Sequence, residues 1–265
     1  MSKVHVETVG HGPPLVLLHG FALHGGLFSA VVPALARRHR VIAVDLPGHG
    51  HSPAPDSFTL SAIVASIAQV MASFDEPASI LGWSFGGLAA LELARLHPAR
   101  VKSLVLVAAT PRFVAAADWP HAMAAQTLAR FGDELAVSYR LTLQRFLTLQ
   151  VQGSEEGRAA LAALRTALFA RGAPSKATLA GVLRVLAETD LRAEVRGLDT
   201  PALVVTGQRD ALTPKEAGAW LARTMPRARH VDIAGAAHAP FLSHREAFTA
   251  AVAPFVDEHA ELSRA

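Results

Sequence analysis

Gly82-Trp83-Ser84-Phe85-Gly86 decides the reading of this chain. The segment has the form G-x-S-x-G, in which a serine sits on a sharp turn between a strand and a helix. Such a turn lifts the hydroxyl clear of the sheet. Glycines at both ends let neighbouring backbone approach without a Cβ in the way. The flanks fit this geometry. Ala78-Ser79-Ile80-Leu81 reads as a short buried strand, and Gly87 to His97 as a helix that stops at Pro98. A glycine-rich turn with an idle serine would need neither flank.

Working outward, strand and helix signals alternate. Pro14 to Leu18 is an apolar run that ends in His19-Gly20-Phe21. Val31 to Ala36 is helical, and Arg40 to Val44 is the next strand. Asp45-Leu46-Pro47-Gly48-His49-Gly50-His51-Ser52 is a loop rich in turn residues. Ser61 to Phe74 has helical periodicity, and Val101 to Val107 is another buried strand. Strands separated by helices in this order imply a parallel sheet flanked by helices. From Arg112 to Thr189 no β run is visible. Asp133 to Gln152, Gly157 to Arg171 and Ser175 to Ala187 read as helices. The sheet pattern resumes with the strand Pro201 to Gly207, the helix Lys215 to Thr224 and the strand Arg229 to Ile233, and closes with the helix Arg245 to His259. The expected organisation is an α/β core of residues 1–111 and 190–265 with a helical cap, 112–189, inserted into it.

Composition narrows the function classes. The chain has 265 residues, 51% of them hydrophobic and 18% charged, which is enough to bury a large core. No apolar run reaches the length of a membrane span, and Met1 to Glu7 lacks the apolar stretch of a signal peptide. Cysteine is absent, which excludes disulfides, a thiolate nucleophile and a cysteine metal site, and fits the cytoplasm. Net charge is +3, and only four of the 25 basic residues are lysine. No basic run is interleaved with aromatics, so nucleic acid is not an expected partner. No metal cluster or phosphate loop is visible. No cofactor is expected, and a monomer is the expected state.

A serine hydroxyl needs a base to act as a nucleophile at neutral pH. An elbow of this kind is followed in the chain by an acid and then a histidine. Asp210 follows the strand that ends in Gly207, and His238 follows the strand that ends at Ile233. All three residues fall at carboxyl ends of strands, where open α/β sheets place their working groups. The rivals fit less well. His230 and Asp232 lie inside a strand, His244 starts the last helix, and His49 and His51 precede the serine. Asp199 lies in a turn before Pro201, Asp190 at the cap exit, and Asp45 reads as a loop anchor. The oxyanion of the reaction needs two backbone N–H donors. One is expected from Phe85, the residue after the serine, and the other from Phe21, in the loop after an early strand.

These residues resemble the α/β-hydrolase superfamily over the whole chain. Within it the chain resembles the methyl ester esterases that act on pimeloyl-[acyl-carrier protein] in biotin synthesis. The stretches that carry the likeness are Leu17 to Gly20, Val44 to Gly48, Leu81 to Ser84, Asp118-Trp119-Pro120, Arg145 to Gln150 and Ala236 to His244. The resemblance implies the α/β-hydrolase fold and hydrolysis of the distal methyl ester of a pimeloyl chain held on acyl carrier protein. It maps substrate contacts onto Phe21, Ser84, Phe85, Phe146, Leu147, Thr148, Leu149, Gln150 and His238. It maps carrier-protein contacts onto Arg145 and Arg158. The chain departs from the pattern at Phe21, where a tryptophan is usual, and at Phe85, where a leucine is. Both changes keep an apolar side chain.

An acidic carrier protein calls for a basic patch near the site. Tyr139 to Arg171 holds Arg140, Arg145, Arg158, Arg165 and Arg171 against Glu155 and Glu156. A solvated helix face would look the same. The alternative readings are a general short-chain carboxylesterase and a C–C bond hydrolase of the same fold. A dehalogenase would need a carboxylate at position 84. A non-catalytic receptor would have no use for Ser84, Asp210 and His238 together.

Overall fold

Residues 3–261 are described by a computed structural model. Among them one sheet runs through seven strands: β1 (Val6–Val9), β2 (Pro14–Leu18), β3 (Arg40–Val44), β4 (Ala78–Trp83), β5 (Val101–Val107), β6 (Ala202–Gly207) and β7 (Ala228–Ile233). Their order is β1-β3-β2-β4-β5-β6-β7. Only β1 is antiparallel to its neighbour. The helices are α1 (Val32–Leu35), α2 (Leu60–Met71), α3 (Phe85–Leu96), α4 (Ala125–Gln150), α5 (Gly157–Leu168), α6 (Lys176–Glu188), α7 (Lys215–Thr224), α8 (Pro240–Ser243) and α9 (Arg245–Glu261). Every residue of β2, β4 and β6 is buried. Parallel strands covered on both faces require that, and their near-continuous apolar sequences supply it. The edge strands β1 and β7 are largely open.

The chain leaves β2 toward β3 on one side and returns to β4 on the other, so the strand order reverses between β2 and β4. Ligands of open α/β sheets sit outside the carboxyl ends of the strands at such a reversal. Leu18 pairs in register with Gly82. The loop after β2 and the elbow after β4 therefore emerge side by side.

Between β5 and β6 the chain makes a helical excursion through α4, α5 and α6, with only isolated β-bridges. Its two ends meet. Leu191 N donates to Pro111 O at 2.9 Å, and Arg112 pairs with Asp190 at 2.6 Å. Hydrogen bonds from Arg192 are the main cause that takes the Asp190 pKa down to about 2. Two differences from the sequence reading have physical causes. Helix α4 begins at Ala125 rather than Asp133 and runs through Gly132, a helix-weakening residue that the packing of α4 on α6 carries. A Cβ there would lie 3.7 Å from a Leu183 methyl. The helix then kinks at Ser138, whose φ and ψ are −135° and 58°. Strand β1, Val-Glu-Thr-Val, has too short and too polar a pattern to be read from sequence.

The excursion is tied to the core by Arg171. Its guanidinium meets Asp45 at 3.1 Å and Glu7 at 2.6 Å, and its side chain is only 12% exposed. Arg171 thus leaves the basic patch that sequence suggested and works as a brace. Asp45 is fully buried. Burial alone would raise its pKa, but N–H donors from His51 and Gly25 and the charge of Arg171 bring it below its ordinary value.

Beside Asp45 lie two buried histidines with rings 5.2 Å apart. His19 Nδ1 donates to Gly20 O at 2.8 Å, and its Nε2 accepts from Leu46 N at 2.9 Å, an arrangement that requires the neutral ring. Burial pushes His19 down to about 3 and His49 to about 4. The unfolded chain takes up these protons near pH 6.5, well before the folded chain does. Stability from these groups is therefore complete above pH 6.5 and is lost as pH falls toward 4 and then 3. The expected loss at pH 5 is about 2 kcal/mol per histidine. Melting temperature measured from pH 7.5 to 4.5 checks this, and a flat profile across that window would contradict it.

Candidate active site

Ser84 stands at the turn from β4 into α3 with φ 55° and ψ −116°. A non-glycine residue in that conformation stores about 1–3 kcal/mol of strain. The surroundings hold it there. Ser84 N donates to Val107 O at 2.9 Å, and Ser84 O accepts from Gly87 N at 2.8 Å. Gly86 lies against the Leu18 carbonyl and Gly82 against the Gly86 carbonyl, so a Cβ at either position would collide with backbone. The carboxyl end of β2 abuts the elbow as well. A Cβ on Gly20 would lie 3.0 Å from the Trp83 ring and 3.4 Å from Ser84 Cβ.

Asp210 and His238 follow β6 and β7 and are both buried. His238 Nδ1 lies 2.8 Å from Asp210 Oδ2. The other carboxylate oxygen, Oδ1, accepts from Leu212 N at 2.9 Å and Thr213 N at 3.0 Å. With its Nδ1 facing a carboxylate, the imidazole presents Nε2 on its other side, and His238 and Ser84 line the same cavity. Trp83 Nε1 donates to His238 O at 2.8 Å, which anchors the loop from beneath.

That cavity, of about 100 Å³, is apolar apart from Ser84, Thr127 and His238. Phe21, Phe131 and Phe146 form its aromatic wall, with ring centroids 5.2–6.0 Å apart. A larger groove of about 510 Å³ runs between α4 and α6 and shares Leu128 and Leu183 with the cavity. Ser84 and His238 meet in the smaller space and line no part of this groove. Phe85 is the first residue of α3, where a helix leaves its amide without an internal partner. The Phe21 amide donates no backbone hydrogen bond among the described residues.

Of the stretch Phe146 to Gln150, Phe146 and Leu149 reach the cavity wall. Leu147 is in the core, and Thr148 is exposed. Gln150 is buried and accepts from His238 N through its backbone carbonyl at 3.0 Å. Arg145 and Arg158 are exposed on α4 and α5, with no hydrogen bond or ion pair among the described residues. Arg140 lies over the Phe169 ring at 4.9 Å. The rivals lie apart from the cavity lining. His244 meets Ser243 Oγ at 2.9 Å, and His230 meets Thr206 Oγ1 at 2.9 Å.

Sequence reasoning missed Thr213. Its hydroxyl donates to Asp210 Oδ2 at 2.6 Å and lies 3.0 Å from Ala108 O and 3.3 Å from His238 Nδ1. The available signal was Asp210-Ala-Leu-Thr213, the spacing of an aspartate that caps its own turn. Trp119, in the Asp118-Trp119-Pro120 stretch, holds a structural place. It is buried, donates to Arg112 O at 3.0 Å and packs on Trp220, which makes it the neck of the excursion.

Fold and site together are those of an α/β hydrolase, and a family model described as alpha/beta hydrolase fold matches residues 13–245. The esterase from Exiguobacterium antarcticum superposes with a TM-score of 0.89 over 97% of this chain and 96% of its own, at 23% identity. A protein of Chromobacterium violaceum named pimeloyl-[acyl-carrier protein] methyl ester esterase is 45% identical over 97% of this chain and 100% of its own length. One of the same name from Nitrosomonas europaea is 45% identical over 94% of this chain and 97% of its own. The chain belongs to the family of these esterases, within the α/β hydrolases.

Thr213→Val keeps the shape of the side chain and removes its hydroxyl. A hydrogen bond to a charged group contributes about 1.5–3 kcal/mol. The variant is expected to turn over a small ester about tenfold more slowly with KM unchanged. Steady-state kinetics check this, and an unaltered kcat would show that the hydroxyl does not matter to the site.

Proposed function

We propose that this chain is a serine esterase that releases methanol from the methyl ester of a pimeloyl group carried on acyl carrier protein, in biotin synthesis. The observation that carries the chemistry is the Asp210–His238 hydrogen bond, whose imidazole lines one cavity with Ser84. The names of relatives 45% identical over nearly the whole chain support the substrate.

In this mechanism Ser84 Oγ attacks the ester carbonyl while His238 Nε2 takes its proton. Asp210 holds the ring and stabilises the imidazolium. The amides of Phe21 and Phe85 receive the oxyanion. The tetrahedral intermediate collapses, the C–OCH₃ bond breaks, and His238 returns the proton to the departing methoxide. The acyl group is then an ester of Ser84. Water attacks it by the same route, with His238 as base, and yields the free carboxylate and Ser84.

The roles of the other residues follow from this reading. Phe146 and Leu149 line the path of the acyl chain, with Leu147 and Gln150 packed behind them and Thr148 at the outer face of α4. The excursion 112–189 is the cap, and 1–111 with 190–265 is the catalytic core. Arg145 and Arg158 meet the carrier's acidic side chains or its phosphate. The enzyme works as a monomer in the cytoplasm without a cofactor.

Two experiments test the proposal. Ser84→Ala is expected to lower turnover by several orders of magnitude with the fold intact, and near-normal activity would sink the nucleophile assignment. Arg145→Ala combined with Arg158→Ala is expected to raise KM about tenfold for the carrier-linked ester, since exposed charge pairs contribute about 1 kcal/mol or less each. A small soluble ester should be cleaved as before, and the difference should shrink with salt. Equal losses on both substrates would mean a damaged cap. No loss on either would return the chain to the general carboxylesterase reading.

A further inference from the structure

Three segments far apart in sequence meet behind His238. They are the loop after β6 that carries Asp210, the loop after β7 that carries His238, and the turn between α4 and α5. The two loops are laced to each other. Arg209 N donates to Ala236 O at 2.8 Å, and Gln208 N donates to Ile233 O at 3.1 Å. The turn is laced through its backbone to the loop after β7. His238 N donates to Gln150 O at 3.0 Å, and Glu155 N donates to Gly235 O at 3.1 Å. One side chain crosses from the acid's loop to the turn. Arg209 Nη1 donates to Gly153 O at 2.8 Å, and Nη2 meets Glu155 Oε1 at 2.8 Å. The fit is close. Gly235 has φ +71°, and a Cβ there would lie 2.7 Å from the Glu155 carboxylate carbon.

Arg209 is adjacent in sequence to Asp210, and its guanidinium ends on the turn that holds the His238 amide. Displacing the turn therefore moves the base relative to the acid. The same turn joins the helices bearing Arg145 and Arg158, which lie five residues before Gln150 and three after Glu155. We infer that Arg209 is a positioning residue that locks the α4–α5 turn onto the acid and base loops, and so couples occupancy of the Arg145–Arg158 face to the alignment of His238. The coupling half rests on the carrier reading given above; the positioning half needs only an ester and Ser84.

The ion pair is exposed, with Arg209 at 46% and Glu155 at 61%. Exposed pairs are individually weak, so the effect on rate is a few-fold and the fold survives its loss. Arg209→Ala is expected to lower kcat on p-nitrophenyl butyrate about fivefold, with KM and melting temperature unchanged. Glu155→Ala should reproduce part of this, and Arg209→Lys should recover part of it. A kcat equal to that of the parent protein, or one that falls only in step with melting temperature, would overturn the positioning role. The carrier-linked methyl ester reads the coupling. If the turn transmits docking, the losses in kcat/KM of Arg209→Ala and of the Arg145→Ala, Arg158→Ala double variant on this ester are not additive, because each removes the same step. Additive losses would overturn the coupling and leave positioning standing. A failure to cleave the carrier-linked ester would overturn the carrier reading and the coupling with it, with positioning still decided by p-nitrophenyl butyrate.

Discussion

The rest of the structure depends on one strained residue. Ser84 holds a backbone conformation that L-residues avoid, at the turn where β4 passes directly into α3. The strain is offset by the sheet. Val107 O on β5 fixes the Ser84 amide, and the Leu18 carbonyl at the end of β2 sits where a side chain at position 86 would be. The register that pairs Leu18 with Gly82 is therefore a requirement of the elbow as well as of the core. It also brings the His19–Phe21 loop beside the elbow, with Gly20 against Trp83 and Ser84.

His238 is held differently. β7 is an edge strand with an open face, and His238 lies five residues beyond its end. The ring is fixed by Asp210 and Thr213, the carbonyl by Trp83, and the amide by Gln150 of the excursion. One side of the proposed triad thus belongs to the sheet, and the other is shared between sheet and excursion. Arg171 and Arg209 brace the excursion at opposite ends of α5, the first on buried Asp45 and the second at the His238 loop. Under the proposed mechanism, substrate docking and proton transfer meet in the same few backbone hydrogen bonds.

The parts legible in the sequence were those set by local pattern. The elbow, the buried parallel strands and the strand ends carrying Asp210 and His238 are short runs with clear edges. What stayed hidden depended on contacts between distant segments. The first two turns of α4, before Asp133, are missed because a glycine interrupts them and only packing on α6 carries the helix through it. Arg171 reads as surface charge until the buried Asp45 carboxylate is found beside it. Arg209 looks like an ordinary loop residue because its partners lie on the α4–α5 turn, and Thr213 shows locally only its turn with Asp210, while its contacts with Ala108 and His238 come from far along the chain. Strand β1 escapes notice because an edge strand needs little apolar sequence.

The central claim is that Ser84 acts on the distal ester and leaves the linkage to the carrier alone. Mass spectrometry of the carrier protein tests it most directly. Acyl carrier protein loaded with the methyl ester of pimelate is incubated with the enzyme and its intact mass followed. The account predicts that the carrier loses the mass of one CH₂ group, that its thioester survives, and that Ser84→Ala leaves it unchanged. A carrier stripped of the whole acyl chain, or one unchanged by the unmodified enzyme, would contradict it.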